Sequence, residues 1–373
     1  MKIFFAMSAF LVILAFGETN SSLFIDDDDG YFDVSKFLAS KQGFLPTPIL
    51  ITGPTFGLGG GLNVMFLHGT LAGKKRADGK YVPPNITGAA AAATENGTRF
   101  AAAYHIGFFK AGDIRTTTFA GRPDANMDFG TQFGSVSLNT KGYALYQEVK
   151  TRLGGSDFFV GMNYLYMQIK SSFNEAQPPF DDILEKLSSN SAYGALSLVA
   201  EYDSRDSIFT PNRGLYVKGV YSVFNQAFGS DKNFENLRTK LFYYMPLATA
   251  FNLALRAEYQ TILGENRAPA FMTPSLILRG LANQNYNGQH ALVVETEGRY
   301  EVLHRNWLVG FVGSGKAFGD YSSSGAVSFA DAPAPITYGA GYRYALAKHF
   351  KLLGGFDVAR YGNEYAFYIT MGS

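Results

Sequence analysis

The sequence predicts an all-β fold, a sixteen-stranded antiparallel transmembrane β-barrel with an extracellular loop folded into its lumen. Three observations lead there. Only 17% of residues are charged while 15% are aromatic and 41 of 373 are glycine, whereas soluble domains carry about a quarter charged residues. Beyond the N-terminus no segment approaches the 18 or so consecutive apolar residues that a membrane-spanning helix requires. Segments of about ten residues alternate apolar and polar side chains, the pattern of strands with one face to lipid and one to an enclosed interior.

Taken in order, the chain opens MKIFFAMSAFLVILAFGETNSS. Lys2, the apolar run Ile3–Phe16 and the small residues Ala15 and Gly17 predict a secretory signal peptide over residues 1–17. With no cysteine in the chain, disulfides play no part in holding the exported fold. Residues 18–53 read as a short periplasmic tail or lumenal plug, with an acidic run Asp26–Asp29 followed by Phe32, Phe37 and Leu38 at near-helical spacing. As a calcium loop this run fails, because Gly30 as the turn glycine puts Ile25 at the first ligand position and Lys36 at the twelfth. A solvated acidic tail is the expectation.

The barrel is expected over residues 54–373. Strand-like runs lie at 54–69, 83–94, 98–110, 114–122, 128–138, 142–152, 157–171, 191–202, 214–226, 234–245, 250–263, 289–303, 307–318, 335–346, 350–360 and 363–371. In AFNLALRAEYQ, Phe251, Leu253, Leu255, Ala257 and Tyr259 share the lipid face and Asn252, Arg256, Glu258 and Gln260 the lumenal one. In HALVVETEGRYEV, Leu292, Val294, Thr296, Tyr300 and Val302 oppose Glu295, Glu297, Arg299 and Glu301. Periplasmic turns should be short and extracellular loops long. Tight connections at 95–97, 154–157, near 248, 304–306 and 347–349 are therefore assigned to the periplasm, and the longer ones at 70–82, 173–190, 264–288 and 319–334 to the outside.

Catalytic and metal signals are thin. The five histidines His68, His105, His290, His304 and His349 are scattered, with no paired metal spacing and no G-x-S-x-G. No catalytic residue, metal or cofactor is assigned, and a net charge of +1 gives no reason to expect nucleic acid. Two stretches stand out instead. DSRDSIFTPNRG places Asp203, Arg205, Asp206, Pro211, Arg213 and Gly214 in a turn, and LILRGLANQNYNG sets Arg279 between Leu278 and the pair Gly280-Leu281.

On these motifs the sequence resembles the BamA/TamA-type outer-membrane assembly barrels, also known as bacterial surface antigen barrels. The resemblance rests on D-x-R-D-x(4)-P-x-R-G at Asp203–Gly214, on V-R-G-F/Y seen as Leu278-Arg279-Gly280-Leu281, on the E-x-R strand Glu297–Arg299, and on FVGSG at Phe311–Gly315. It covers about residues 190–373. Leu281 replaces the usual aromatic, and Gly313 stands where an acid is common. The family loop arginine typically pairs with inward acids of neighbouring strands, so Glu295, Glu297 or Asp357 is expected to take that role for Arg279. Family members also carry periplasmic βααββ modules, and the stretch between a cleavage near Gly17 and the first strand leaves no room for one. The resemblance implies a bacterial outer-membrane location, contact with outer-membrane lipid, a client polypeptide and a periplasmic accessory protein. The implied function is insertion or translocation of protein, or lipid, at a seam between the first and last strands. The alternatives from the residues are a passive porin-like channel and a structural surface antigen.

Overall fold

The computed structural model describes residues 21–70, 74–75, 81–131, 134–173, 189–264, 266–282, 285–322 and 324–372; the leader expected over residues 1–17 lies outside them. A short helix α1 (Ser35–Ser40) precedes sixteen strands. These are β1 (Gly43–Ile51), β2 (Gly59–Leu67), β3 (Ile86–Thr94), β4 (Arg99–Phe109), β5 (Ile114–Thr131), β6 (Gly134–Arg152), β7 (Phe158–Phe173) and β8 (Ser189–Asp203), then β9 (Gly214–Phe224), β10 (Phe234–Ala248), β11 (Phe251–Leu263), β12 (Gly288–Leu303), β13 (Asn306–Ser322), β14 (Ile336–Ala347), β15 (Leu352–Tyr361) and β16 (Glu364–Met371). Each pairs antiparallel with its neighbours in sequence, and the sheet curls into a nearly closed barrel. A two-residue hairpin, Lys74–Lys75 with Tyr81–Val82, sits in the β2–β3 connection.

Period-two alternation sets the two faces. Outward side chains are large, apolar and exposed, among them Leu145, Leu198, Val294, Tyr300, Leu308 and Phe367. So much contiguous apolar surface is unfavourable in water and suits hydrocarbon. Inward positions hold polar groups that are buried and paired, including Glu148, Glu201, Glu258, Glu295, Arg299 and Asp357. No helix among the described residues is long and apolar enough to cross a membrane, so the strands are the elements available to do so.

Both β1 begins and β16 ends at one rim, the lower rim. The turns 110–113, 153–157 and 204–213 share it, since Arg152 N donates to Asp113 O at 2.8 Å and Asp203 N to Asp157 O at 2.9 Å.

Sixteen strands are present, but two departures from the sequence reading cancel in the count. The runs expected at 114–122, 128–138 and 142–152 are two long strands, β5 and β6. Pro123 does not end β5, because the β5–β6 ladder passes from Gly121↔Ala144 to Asp124↔Lys141 and asks no hydrogen bond of it. Conversely, Gly43–Ile51, assigned to the tail, is β1, so the barrel begins at residue 43 rather than 54. The glycine-rich run 59–67 is the second strand. It follows that the 70–82 excursion lies at the lower rim and the 95–98 turn at the upper, reversing the sides assigned to them. From β7 onward the expected strand order holds, and the connections expected to share a side share a rim.

Residues 21–40 dock at the lower rim rather than trailing in solvent. Phe24, Val34 and Leu38 form a core with Leu346, Ala347 and Leu352, and Phe37 and Met371 pack against it. Arg305, in the β12–β13 turn with φ +64°, donates to Asp29 at 2.7 Å and Asp33 at 2.8 Å and pairs with Asp26 at 3.0 Å. The solvated acidic tail is therefore corrected in part: Asp27 and Asp28 face water, while Asp26, Asp29 and Asp33 clasp one buried guanidinium.

Candidate functional site

The β11–β12 connection leaves the upper rim after Leu263 and returns at Gly288, and between them it folds against the inner wall. Its apolar residues anchor it: Leu276, Leu278 and Leu281 are buried against Ala291 and Val293 of β12 and Ala317 of β13. Nearer the upper rim Met272 joins Tyr193, Phe224, Phe234 and Ile262 in a second core. Polar contacts tie the loop to both flanks, with Arg256 of β11 donating to the Ile277 carbonyl at 2.9 Å and the Gly280 amide donating to the Tyr368 hydroxyl of β16 at 2.8 Å.

Arg279 projects from this loop into a cluster of acids. Its Nη2 donates to Glu295 Oε1 at 2.9 Å, and its Nη1 to Glu297 Oε2 at 2.7 Å and Asp357 Oδ2 at 3.0 Å. The guanidinium also lies 3.5 Å from the centroid of the Phe311 ring, a face that favours a cation. Asp357, fully buried, is held from its other side by Arg343 at 2.6 and 3.0 Å. A charge taken out of water is tolerated only when paired and hydrogen-bonded, and here every carboxylate of the cluster engages a guanidinium. The arrangement fastens a loop to three strands, β12, β15 and, through Tyr368, β16; it does not present a free acid or base.

Local backbone explains two neighbours of Arg279. Gly280 has φ +89°, a conformation that costs side-chain-bearing residues energy, and a Cβ there would also approach Ala359 Cβ to 3.2 Å. At Gly313, where the resemblance suggests an acid, a Cβ would stand 2.8 Å from Leu278 Cδ2. Leu278 fills that space.

The turn at residues 203–214 is folded in, not splayed into solvent. Arg205 donates to Asp203 at 2.7 and 2.9 Å and lies over the Tyr216 ring. Asp206 accepts from the Asn212 and Arg213 amides at 3.0 and 3.3 Å and from Lys351 at 2.8 Å. Burial would raise the Asp206 carboxyl, but Lys351 and those amides hold it below the usual range. The Pro211 carbonyl accepts from Arg299, which joins this turn to the strand bearing Glu295 and Glu297. Gly214 has φ +113°, and a Cβ there would meet the Ser204 carbonyl. The Arg213 side chain is exposed and contributes only its backbone.

Sequence reasoning missed Arg343, Phe311 as a ring platform, and Tyr368. The signal for Arg343 was available: a lone arginine on the inward face of GYRYALA is the same kind of oddity that drew notice to Arg279. Among the described residues no group of three His, Cys, Asp or Glu side chains is placed to hold a metal ion.

A family model described as the Omp85 superfamily domain matches residues 56–273, so the likeness reaches well into the first half, beyond the stretch 190–373 that carried the motifs, and stops short of Arg279. BamA from Haemophilus ducreyi lacking POTRA domains 1–3 superposes with a TM-score of 0.63 at 11% identity, over 89% of this chain and 70% of that one. CdiB from Escherichia coli gives 0.61 at 10% identity, and CdiB from Acinetobacter baumannii 0.58 at 9%, each over 89% of this chain. The chain spans 63% and 60% of those two CdiB chains. No curated protein matches the chain in sequence.

Proposed function

Because the chain belongs to the Omp85 superfamily, we propose that its barrel assists the insertion or translocation of a polypeptide, or of lipid, at the bacterial outer membrane through a seam between β1 and β16. One observation carries this reading. Among the described residues β1 ladders with β2 over nine residue pairs, whereas no ladder joins β1 to β16.

Proline accounts for the weak edge. Alternate residues of an antiparallel strand direct their backbone groups to opposite neighbours, so Pro46 and Pro48, two apart, leave the same edge of β1 without donors. The unbroken ladder to β2 places that edge on the β16 side, which is where a strand tolerates proline. The glycines Gly59, Gly60 and Gly61 belong to β2 and so do not line this edge. The lumenal loop, fastened by Arg279 and in contact with β16 through Tyr368, sits beside the seam and favours a plugged barrel over an open porin-like passage.

The test is a lock. Cysteine pairs scanned with one partner in β1 and the other in β16 are oxidised in proteoliposomes, and the folding of a urea-denatured eight-stranded outer-membrane barrel is followed. The reduced protein should speed that folding, and the oxidised one should lose the effect. Equal acceleration with the seam locked would sink the proposal.

A further inference from the structure

Most charges inside this barrel are paired; one group of four cations outside it is not. On four neighbouring strands Arg99 (β4), Arg122 (β5), Lys141 (β6) and Lys170 (β7) point outward and are exposed. Among the described residues none of the four side chains takes part in a hydrogen bond or ion pair. The carboxylate in the same rows, Asp124, accepts from Asn139 at 2.8 Å instead. Register makes them one patch: Arg99 is opposite Asp124, Asp124 is opposite Lys141, and Lys141 is opposite Lys170. Three strand spacings of about 4.8 Å put all four within roughly 15 Å of one another across the wall.

Their height is informative. Arg99 is at the upper end of β4 and Phe109 at the lower, and ten steps of about 3.4 Å tilted by about 40° rise roughly 26 Å, the height of the apolar band of an outer-membrane barrel. The cations thus stand at the upper edge of that band. Below them, Tyr143 and Leu145 are exposed apolar side chains. Beside these, the outer wall of β2–β5 is hollowed into a shallow concavity of about 590 Å³, whose lining includes Leu62, Ala91, Ala101, Ala120 and, at its upper edge, Arg122. Elsewhere at the same rim outward cations are satisfied by the protein: Lys316 donates to the Phe329 and Ala330 carbonyls at 2.8 and 3.0 Å, and Arg360 to the Gly362 carbonyl at 2.7 Å.

We propose that Arg99, Arg122, Lys141 and Lys170 bind the headgroup of a phosphate-bearing anionic lipid in the leaflet at the upper rim, with an acyl chain lying in the hollow beneath. Guanidinium forks and ammonium groups match phosphate oxygens, and only a lipid places anionic groups immediately above hydrocarbon. An acidic protein would meet the cations but has no means to fill a concavity facing the bilayer interior. The inference rests on the outer-membrane barrel reading and not on the seam.

The test measures retention of diphosphoryl lipid A by the full chain in detergent, using native mass spectrometry. The wild-type barrel should keep the lipid and should not exchange it for inorganic phosphate or for the dephosphorylated lipid. With about fivefold in affinity for each cation near an anionic surface, replacing all four by glutamine should lower retention at least a hundredfold, and Ala101→Trp, which fills the hollow without altering charge, should weaken it as well. The double variant Lys316→Gln, Arg360→Gln should bind as wild type. Should the fourfold variant fail to fold, Arg122→Gln and Lys141→Gln singly should each cost about fivefold. Wild-type retention in the charge variants, or equal competition by inorganic phosphate, would overturn the assignment, and neither result would bear on the seam.

Discussion

Two ion clusters face the lumen, and they are built for different ends. On one side Glu148 of β6 accepts from Lys218 of β9 at 2.9 Å and from Tyr146 at 2.7 Å, and Glu201 of β8 accepts from Lys150 at 2.6 Å and Tyr216 at 3.2 Å. Every member belongs to the wall. On the other side Arg279, Arg343, Glu295, Glu297 and Asp357 include one residue that does not, and through it the wall holds a loop. Burial and pairing are alike in the two. The difference teaches that inward charge has two uses here: the first cluster lets strands two and three apart in the wall neutralise one another's buried charges, while the second is a clasp that can be released without dismantling the sheet.

The sharpest way to separate them is to remove one cation from each. Arg279→Ala leaves Asp357 to Arg343, Glu295 to Arg256 at 3.8 Å and Glu297 without an ion pair, and should cost about 3–5 kcal/mol, the range for stranding buried charge, with faster proteinase K cleavage between Leu276 and Leu281. Lys218→Ala should cost less, about 1–3 kcal/mol, because Lys150 and Tyr146 still face Glu148; it should lower the melting temperature without exposing the loop. Identical proteolysis of the two variants would erase the distinction.

A second clasp, that of Arg305 on the N-terminal segment, offers a milder break. Arg305→Ala should raise trypsin cleavage at Lys36 and Lys41 roughly tenfold, the equivalent of about 1.4 kcal/mol, while the barrel keeps its resistance to SDS. Its pH dependence follows from Asp29. Burial would raise that carboxyl, but hydrogen bonds from His304, the Tyr31 amide and Arg305 hold it well below the usual carboxylate range. A depressed folded value means the contribution is present above the unfolded carboxylate value of about 3.9 and fades as pH falls below it. Cleavage, taken relative to an unstructured control peptide and with pepsin in place of trypsin below pH 5, should therefore stay flat between pH 5 and 8 and climb only in acid; a rise near neutrality would point to another group. The smallest expected effect is Tyr368→Phe, which removes one hydrogen bond to the Gly280 amide and should cost about 0.5–1.5 kcal/mol, visible as faster amide exchange at Gly280.

How much of this could be read from residues alone varies along the chain. From β7 to β16 alternation was plain, because each strand has lipid on one side and lumen on the other, and Leu255 and Val294 outward against Glu258 and Glu295 inward show the pattern at work. The loop arginine and its acids were legible for a related reason: an inward charge needs a counter-charge, and few acids share that face. GFLPTPILI was not legible as a strand, since its two prolines suggest a break unless the strand is known to lie at an edge. The β5–β6 hairpin was hidden by Gly121, Pro123 and Asn126, which look like turn punctuation but lie within a ladder. The docking of Asp26, Asp29 and Asp33 on Arg305 joins residues more than 270 positions apart in sequence, and nothing local in an acidic run announces such a partner.

The short N-terminal helix has a mechanical consequence. Leu38 packs with Leu352 and Met371, on the far bank of the seam, and only Lys41 and Gln42 separate α1 from β1. The first strand is thus leashed at its foot to the very strands it does not ladder with. If the two banks part, they part as a fan does, least at the lower rim where α1 bridges them and most at the upper, so a segment entering sideways would find its widest opening near the upper rim.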